Sequence, residues 1–200
     1  MSDWVEKPLG QLADFVMGQS PPSSAVSDLP GGLPFLQGCA EFGQREPEPK
    51  FYVNPPLRRA PTGSTLISVR APVGTTNNAD QTYGIGRGLA AIVGKGHSNQ
   101  FLRYAVELAT PWLHRRSQGS TFLAIGSDDL RKLPVKVSEN VEVCEAAARL
   151  IALIDTQIYA TEALIAKQER LRSGMMQDLF TRGMDEHGQL RPPRKEAPHL

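Results

Sequence analysis

Cysteine is scarce in this sequence. Cys39 and Cys144 are the only cysteines in the 200 residues, and neither has a histidine or a second cysteine at the short spacings of a metal site. The two cysteines also lie in very different sequence contexts. We therefore interpret both as reduced structural residues, and the sequence predicts no metal site.

Long apolar runs are also missing. No stretch reaches the roughly 18 consecutive apolar residues that indicate a transmembrane helix. The N-terminus, residues 1–6, lacks the basic-then-apolar pattern of a secretory signal. The sequence therefore predicts a soluble, cytoplasmic protein that has no membrane partner.

Recognisable catalytic motifs are absent as well. The histidines His97, His114, His187 and His199 are scattered along the chain. There is no Gly-x-Ser-x-Gly nucleophile turn, no His-Glu-x-x-His zinc motif and no phosphate-binding loop. The sequence therefore predicts a protein that has neither catalysis nor a cofactor of its own.

Two short motifs resemble parts of enzyme sites. Asn54-Pro55-Pro56-Leu57 resembles the Asn-Pro-Pro-aromatic site with which amino-methyltransferases hold a target adenine, but leucine stands in place of the aromatic ring. A stand-alone amino-methyltransferase is the alternative that this motif keeps open, although we favour a proline-rich turn. Gly84, Gly86 and Gly88 lack the spacing of a dinucleotide-binding fingerprint and predict a hairpin turn.

The length and charge of the chain favour one domain with an appended element. Its 200 residues exceed the roughly 100–150 of a typical domain but leave little room for a second one. Hydrophobic residues make up 40% and charged residues 22%, as in ordinary globular proteins. The net charge is +3 over residues 1–138 and −2 over residues 139–200, so the positive potential belongs to the first part.

Proline, glycine and alternation patterns predict an α+β domain in the first part of the chain. Residues 18–61 are crowded with proline and glycine, which favours short strands and turns. Residues 63–74 and 88–96 have the patterns and flanking glycines of buried strands. Residues 99–116 have one apolar face at helical spacing, with Asn99 as the candidate N-cap. We therefore expect a mixed or antiparallel sheet with short helices.

From Ser138 to about Phe180 the sequence has one continuous helical pattern. This stretch has no proline and is rich in alanine, leucine, glutamate and arginine, which favour helix. Ser138 is the candidate N-cap, and roughly 40 residues make a helix about 60 Å long. Apolar residues recur at the spacing of a coiled-coil seam, which predicts pairing with another helix. The predicted pairing residues are Cys144, Ala147, Ile151, Ile154, Ile158, Ile165 and Met175. Packing of this helix along its own domain is the alternative.

The first part of the chain is rich in side chains that can contact a nucleic acid. Arginine pairs with guanine, asparagine and glutamine pair with adenine, and serine and threonine bond to phosphate. The candidate DNA-binding residues are Gln37, Arg58, Arg59, Arg70, Asn77, Asn78, Gln81, Lys95, His97, Arg115, Arg116, Gln118, Ser120 and Thr121. Polar loops that contact only water are the alternative explanation of this composition.

Four stretches, in this order, resemble the specificity subunit of type I restriction-modification enzymes. They are WVEKPLGQLADFVMGQSP at residues 4–21, GSTLISVRAPVGTTN at 63–77, SQGSTFLAIGSDDLRKLPVKV at 117–137, and the helix and exit at 147–192. No single stretch is decisive. The resemblance rests on their order and extends over about residues 1–190.

This resemblance implies a function and partners. In that family, each of two target recognition domains reads one half of a split site in double-stranded DNA. Long antiparallel helices set the distance between the domains and dock the methyltransferase (modification) subunits. S-adenosylmethionine belongs to the methyltransferase subunit and DNA cleavage to the restriction subunit, so the specificity subunit is not an enzyme. A protein-only adaptor that does not touch DNA remains an alternative.

The chain corresponds to one half of such a subunit. We expect a target recognition domain at residues 1–138, a long helical spacer for pairing and partner docking at 139–182, and a polar tail or linker at 183–200. A truncated N-terminal half is one explanation, in which the tail leads to a second domain. The other is a natural half-subunit that associates with a second copy through the long helix.

Overall fold

The fold of the chain was obtained as a computed structural model, which describes residues 4–117 and 124–191. The strands are β1 (Trp4–Pro8), β2 (Ala13–Met17), β3 (Val26–Ser27), β4 (Leu33–Leu36), β5 (Phe51–Val53), β6 (Arg59–Ala60), β7 (Thr65–Ser68), β8 (Thr76–Asn78), β9 (Tyr83–Ile85), β10 (Leu89–Gly94) and β11 (Pro134–Ser138). The α-helices are α1 (Leu9–Leu12), α2 (Asn99–Ser117), α3 (Ser127–Lys132) and α4 (Val141–Arg182). The chain divides into two compact units, Met1–Arg149 and Leu150–Leu200.

Most strands of the first unit lie in two sheets. One sheet has the order β2-β10-β7-β8 and is antiparallel throughout. The other has the order β3-β5-β4-β9-β6 and is antiparallel except for the parallel pair β4 and β9. A separate antiparallel ribbon pairs β1 with β11. The prediction of an α+β fold with mixed or antiparallel sheets and a long helix is confirmed.

Strand β10 lies between two hydrophobic cores. Successive side chains of a strand point to opposite faces. Ala90 and Ile92 accordingly join one buried cluster, whereas Leu89 and Ala91 join the other. A strand that is covered on both faces needs apolar residues at every position, and this requirement explains the unbroken apolar run in the sequence.

Helix α2 is capped by Ser98 rather than by Asn99, the predicted cap. The Phe101 N–H donates to Ser98 Oγ at 3.1 Å, the usual bond of an N-cap side chain. The Asn99 side chain instead fixes neighbouring backbone. Its Oδ1 accepts from the Gly94 N–H and its Nδ2 donates to Gly63 O, both at 2.7 Å.

Helix α4 begins three residues after Ser138, the predicted cap. Strand β11 extends through Ser138, which is buried. Asn140 caps the helix instead, because its Oδ1 accepts from the Glu142 N–H at 2.9 Å. The prediction missed this position because serine and asparagine are equally good caps.

The first turns of α4 belong to the core of the first unit. Cys144 and Ala148 are almost completely buried in the larger cluster. The Cys144 Sγ also accepts a hydrogen bond from the Ser138 N–H at 3.2 Å. The prediction that Cys144 lies in the pairing seam is therefore wrong, because its side chain is enclosed by its own domain. Ala147 beside it is half-buried.

Glu145 ties α4 to the beginning of α2. Its Oε1 accepts from the Ser98 N–H at 2.8 Å, where the helix dipole favours a negative charge. Burial raises the pKa of Glu145, but the hydrogen bonds from Ser98 and the charges of His97 and Arg149 outweigh burial, and the net pKa lies below the ordinary value of 4.5.

Replacing Glu145 with glutamine is expected to lower the free energy of unfolding by about 0.5 kcal/mol at neutral pH. A carboxylate whose pKa is lowered by folding stabilises the protein above its unfolded pKa and loses that effect as the pH falls through the folded pKa. The difference from wild type should therefore shrink below pH 4.5. Urea unfolding at a series of pH values measures this, with Glu142→Gln as the matched control. An equal deficit at every pH would contradict the assignment.

Beyond Leu150 the apolar residues of α4 lie on the surface. Ile151, Ile154, Ile158 and Ile165 are 39–59% exposed, and Met175 is 62% exposed. In this helix only Cys144 and Ala148 are buried. The predicted seam residues other than Cys144 and Ala147 therefore form an uncovered apolar face. In the part of the chain that the structure describes, no helix is both long enough and apolar enough to cross a membrane.

The segment after α4 has a defined fold as far as Arg191. Met184 and Leu190 form an antiparallel bridge, and the Asp185 carboxylate accepts from the Gln189 N–H at 2.8 Å. The Arg182 Nε donates to Arg191 O at 2.7 Å. The predicted loose tail is therefore a small hairpin over its first residues. The residues after Arg191 lie outside the described part of the chain.

Candidate nucleic-acid interface

The turn between β9 and β10, residues 86–88, is a meeting point of strand ends. The Gly86 N–H donates to Leu36 O at the end of β4, at 2.8 Å. The Gly18 N–H, just after β2, donates to Leu89 O at 2.9 Å. The ends of β2, β4 and β9 therefore lie side by side.

The end of β7 joins the same turn. The Val69 N–H donates to Gly88 O, and Val69 O accepts from the Ile125 N–H, both at 2.9 Å. Arg70 and Ala124 form an antiparallel bridge next to these bonds. The segment that leaves the loop at residues 118–123 is therefore fixed beside Arg70.

The C-terminal end of α2 reaches this region through His114. Its Nε2 lies 2.8 Å from Val73 O, in the loop that follows β7. The exposed Arg115 and Arg116 come directly afterwards. The Arg116 guanidinium lies over the Trp112 ring, 4.5 Å from its centroid, which holds the arginine in place while leaving it at the surface.

Polar and cationic side chains concentrate where these strands end. Arg58 also lies here, because its carbonyl oxygen accepts from the Ile85 N–H at 3.1 Å. We call this surface the strand-end edge; it comprises Ser20, Gln37, Arg58, Arg70 and Arg87, with Arg115 and Arg116 at the adjoining helix end. Arg59, exposed on β6 opposite Gly84, borders it.

Ser20 and Gln37 are coupled within the strand-end edge. The Gln37 Nε2 donates to Ser20 Oγ at 3.0 Å, and the Arg87 N–H contacts the same oxygen at 3.5 Å. These three residues and the 43% exposed Phe51 line an open groove of about 700 Å³. The groove combines hydrogen-bonding groups, a cation and an apolar ring, which are the groups that contact base edges and thymine methyls.

Glycines allow the close packing of this region. A Cβ on Gly18 would lie 2.1 Å from Gly86 O, and a Cβ on Gly88 would lie 2.5 Å from Gln37 O. Both distances are far shorter than van der Waals contact, and the opposing atoms belong to the backbone. Any larger residue would therefore push the strand ends apart.

Four predicted residues lie at the opposite ends of these strands. Asn78 pairs with Thr65 at the beginning of β7, Gln81 precedes β9, and Lys95 and His97 follow the end of β10. Because β7 and β10 are antiparallel, the beginning of one and the end of the other lie together. The structure therefore does not bring these residues to the strand-end edge.

Asn77 is not available to a ligand. Its side chain is 4% exposed. Its Nδ2 donates to Gly43 O at 2.9 Å, and its Oδ1 accepts from the Asn78 N–H at 2.7 Å. The prediction that Asn77 contacts DNA is wrong, because this asparagine satisfies buried backbone groups instead.

Gln118, Ser120 and Thr121, the remaining candidates, lie outside the described residues. The chain is described up to Ser117 and again from Ala124. Both of these positions adjoin the strand-end edge, through the end of α2 and through the bridge to Arg70. The contribution of the three residues to DNA binding stays a prediction.

Sequence reasoning missed two members of the edge. Ser20 and Arg87 are absent from the predicted set, although they contact each other and Gln37 contacts Ser20. The signal for Arg87 was its position between Gly86 and Gly88, in the turn that the glycines predicted. Ser20 had no local signal, because only the meeting of β2 with β4 places it there.

The Asn54-Pro55-Pro56-Leu57 motif forms bends between β5 and β6. The Asn54 N–H donates to Ala25 O at 2.9 Å, and the Pro56 ring packs beside Gly84. The interpretation as a proline-rich turn agrees with this geometry.

Tyr83 stabilises the opposite end of the second sheet. It is fully buried, and its hydroxyl donates to the Asp80 carboxylate at 2.5 Å. Burial and the hydrogen bond to Asp80 raise the pKa of Tyr83 well above 10.0, so the phenol is a donor at all physiological pH values. Among the described residues, no three histidine, cysteine or acidic side chains are grouped so as to hold a metal ion.

Solved structures similar to this chain are specificity subunits. A structure titled for complex assembly and conformational transition of the type I R-M system matches 90% of this chain and 46% of its own chain, with 34% identity and a TM-score of 0.75. The HsdS subunit from Thermoanaerobacter tengcongensis matches 90% of this chain and 45% of its own, with 33% identity and a TM-score of 0.69. The S subunit from M. genitalium, at 17% identity and a TM-score of 0.60, shares the fold.

Sequence comparison gives the same family. A protein described as the MjaX type I restriction enzyme specificity subunit of Methanocaldococcus jannaschii is 40% identical over 157 residues, which are 76% of this chain and 37% of that protein. The chain thus spans less than half the length of these relatives. The family model for the type I restriction modification DNA specificity domain matches residues 1–167. This chain therefore belongs to the family of type I restriction-modification DNA specificity domains.

Proposed function

We propose that the chain recognises one half of a bipartite site in double-stranded DNA, as half of a type I specificity subunit. The observation that carries this proposal is the strand-end edge. Several strand ends, two loops and one helix end converge there and bring arginines together with a hydrogen-bonded serine and glutamine. Arginines position the duplex through its phosphates, and polar groups between them read the bases.

The strand-end edge also suits DNA because its backbone is rigid. Backbone hydrogen bonds link its segments, and glycines allow them to pack at short distances. Groups that are held in place before binding lose little conformational entropy when they bind. The loop at residues 118–123 leaves and re-enters this edge, so Gln118, Ser120 and Thr121 are retained as further DNA contacts in the proposal.

Helix α4 is proposed to pair with a second long helix. Charged residues support an antiparallel arrangement. In residues 141–163 the acids Glu142, Glu145, Asp155 and Glu162 face one base, Arg149, whereas residues 164–182 carry Lys167, Arg170, Arg172 and Arg182 against Glu169 and Asp178. Antiparallel pairing of two such helices places each acidic half beside a basic half, and the uncovered isoleucines meet between them.

The partner helix belongs to a second specificity half or to a second copy of this chain. Either arrangement holds two reading domains at a fixed separation. We propose that the paired helices dock the methyltransferase subunit, which binds S-adenosylmethionine, and that the restriction subunit joins the same complex. The chain itself then acts without catalysis.

The proposed function is tested by titrating the full chain, co-purified with its methyltransferase subunit, with duplex DNA at several salt concentrations. Because each neutralised phosphate releases a counterion, the logarithm of the association constant should fall linearly with the logarithm of the salt concentration. A complex that assembles but does not bind duplex DNA at low salt would refute DNA recognition and favour a protein-only adaptor.

A further inference from the structure

We propose that Gln37 is a specificity-determining residue that reads an adenine in the major groove, and that Ser20 is its positioning residue. This inference rests on the proposed DNA-reading function and assigns one base of the half-site to one side chain. The strand-end edge contains several arginines, but Gln37 is the described side chain there whose amide both donates and accepts hydrogen bonds.

Gln37 sits in a seat built by the turn at residues 86–88. A Cβ on Gly86 would lie 2.5 Å from Gln37 Oε1 and 3.0 Å from Gln37 Cα. A Cβ on Gly88 would lie 2.5 Å from Gln37 O. The Gly88 N–H also donates to Gln37 O at 3.3 Å. The backbone of Gln37 and its amide oxygen are therefore held against bare backbone on one side.

Ser20 fixes the orientation of the Gln37 amide. Ser20 Oγ lies 3.0 Å from Nε2 and 3.5 Å from Oε1 of Gln37, while the Arg87 N–H, at 3.5 Å, contacts the same hydroxyl. A glutamine amide has two hydrogens to donate and two oxygen lone pairs. The contacts with Ser20 occupy at most one of each.

The remaining hydrogen and lone pair match adenine. In the major groove, adenine presents the N7 acceptor beside the N6 amino donor, and a glutamine amide bonds to both at once. Guanine presents two acceptors at these positions, so the glutamine oxygen would face another oxygen. Gln37 is exposed in the groove that Phe51 and Arg87 line, so a base edge can reach it.

The test is selection of enriched sequences from random duplexes by the full chain co-purified with its methyltransferase subunit. The Gln37→Ala variant should lose its preference for A·T at one position of the half-site, by about tenfold to a hundredfold, while the other positions keep theirs. Ser20→Ala should weaken the preference at the same position by a smaller factor. Both variants should keep the wild-type salt dependence, because neither residue carries charge.

Gln81→Ala is the matched control, since Gln81 is an exposed glutamine at the opposite ends of the strands. It should leave the enriched sequence unchanged. An unchanged sequence in Gln37→Ala would overturn the assignment, as would uniform loss of affinity in a folded variant, because that result indicates a structural role. If the wild-type complex binds no duplex, the proposed function itself fails. Wild-type enrichment with an unaltered Gln37→Ala pattern refutes only the reader.

Discussion

Replacing Ile158 with aspartate is expected to abolish pairing of helix α4. Ile158 is 47% exposed and lies in the middle of the uncovered apolar face, where a pairing helix would bury it. A carboxylate at the centre of a helix interface leaves a desolvated charge without a partner, which costs several kcal/mol. Light scattering should therefore show loss of the paired species, and the methyltransferase subunit should no longer co-purify.

The Ile158→Asp result needs a control for helix propensity. Ala163→Asp introduces the same residue at an exposed position on the opposite side of α4 and should leave pairing intact. The first unit should remain folded in both variants, because the larger core ends at Ala148 along this helix. Full assembly of the Ile158→Asp variant would show that the apolar face is not the pairing surface.

Replacing both Arg115 and Arg116 with alanine is expected to weaken DNA binding and to reduce its salt dependence. Each lost phosphate contact should lower the slope of log association constant against log salt by ~0.9. The affinity at low salt should fall on the order of tenfold or more, because hydrogen bonds to charged groups are among the stronger ones. Fluorescence anisotropy with a labelled duplex measures both quantities in the co-purified complex.

Lys95→Ala separates a local effect from a general loss of positive charge. Lys95 lies at the opposite ends of the strands and forms an exposed ion pair with Asp14 at 2.5 Å. Its replacement should leave the slope unchanged. An unaltered slope in the Arg115 and Arg116 variant would place the DNA elsewhere, and loss of the slope in Lys95→Ala would do the same.

The sequence predicts elements with a strong pattern. The apolar run at residues 88–96 indicated a buried strand, and β10 occupies Leu89–Gly94. The helical spacing at residues 99–116 matches α2. In the long helix the composition alone excludes other structures, because proline is absent and strong helix formers dominate. Periodicity is a local property, so each of these elements is readable without knowledge of the fold.

The candidate site was only partly predictable because it depends on long-range pairing. Gln37 and Arg70 were identified by residue type, but nothing local indicates that Ser20 and Arg87 lie next to them. Asn77 has the same composition signal as its exposed neighbour Asn78, and only the fold shows that it is buried. Cys144 matches the heptad spacing, yet the beginning of α4 is enclosed by the first unit.

Selection of random duplexes by the wild-type complex tests the central claim most directly, namely that the strand-end edge reads DNA sequence. We predict enrichment of a short half-site, with protection of residues 18–20, 36–37 and 86–88 from hydrogen exchange when the selected duplex is bound. Binding without any enriched sequence, or protection confined to the opposite strand ends near Asn78 and Lys95, would contradict the account.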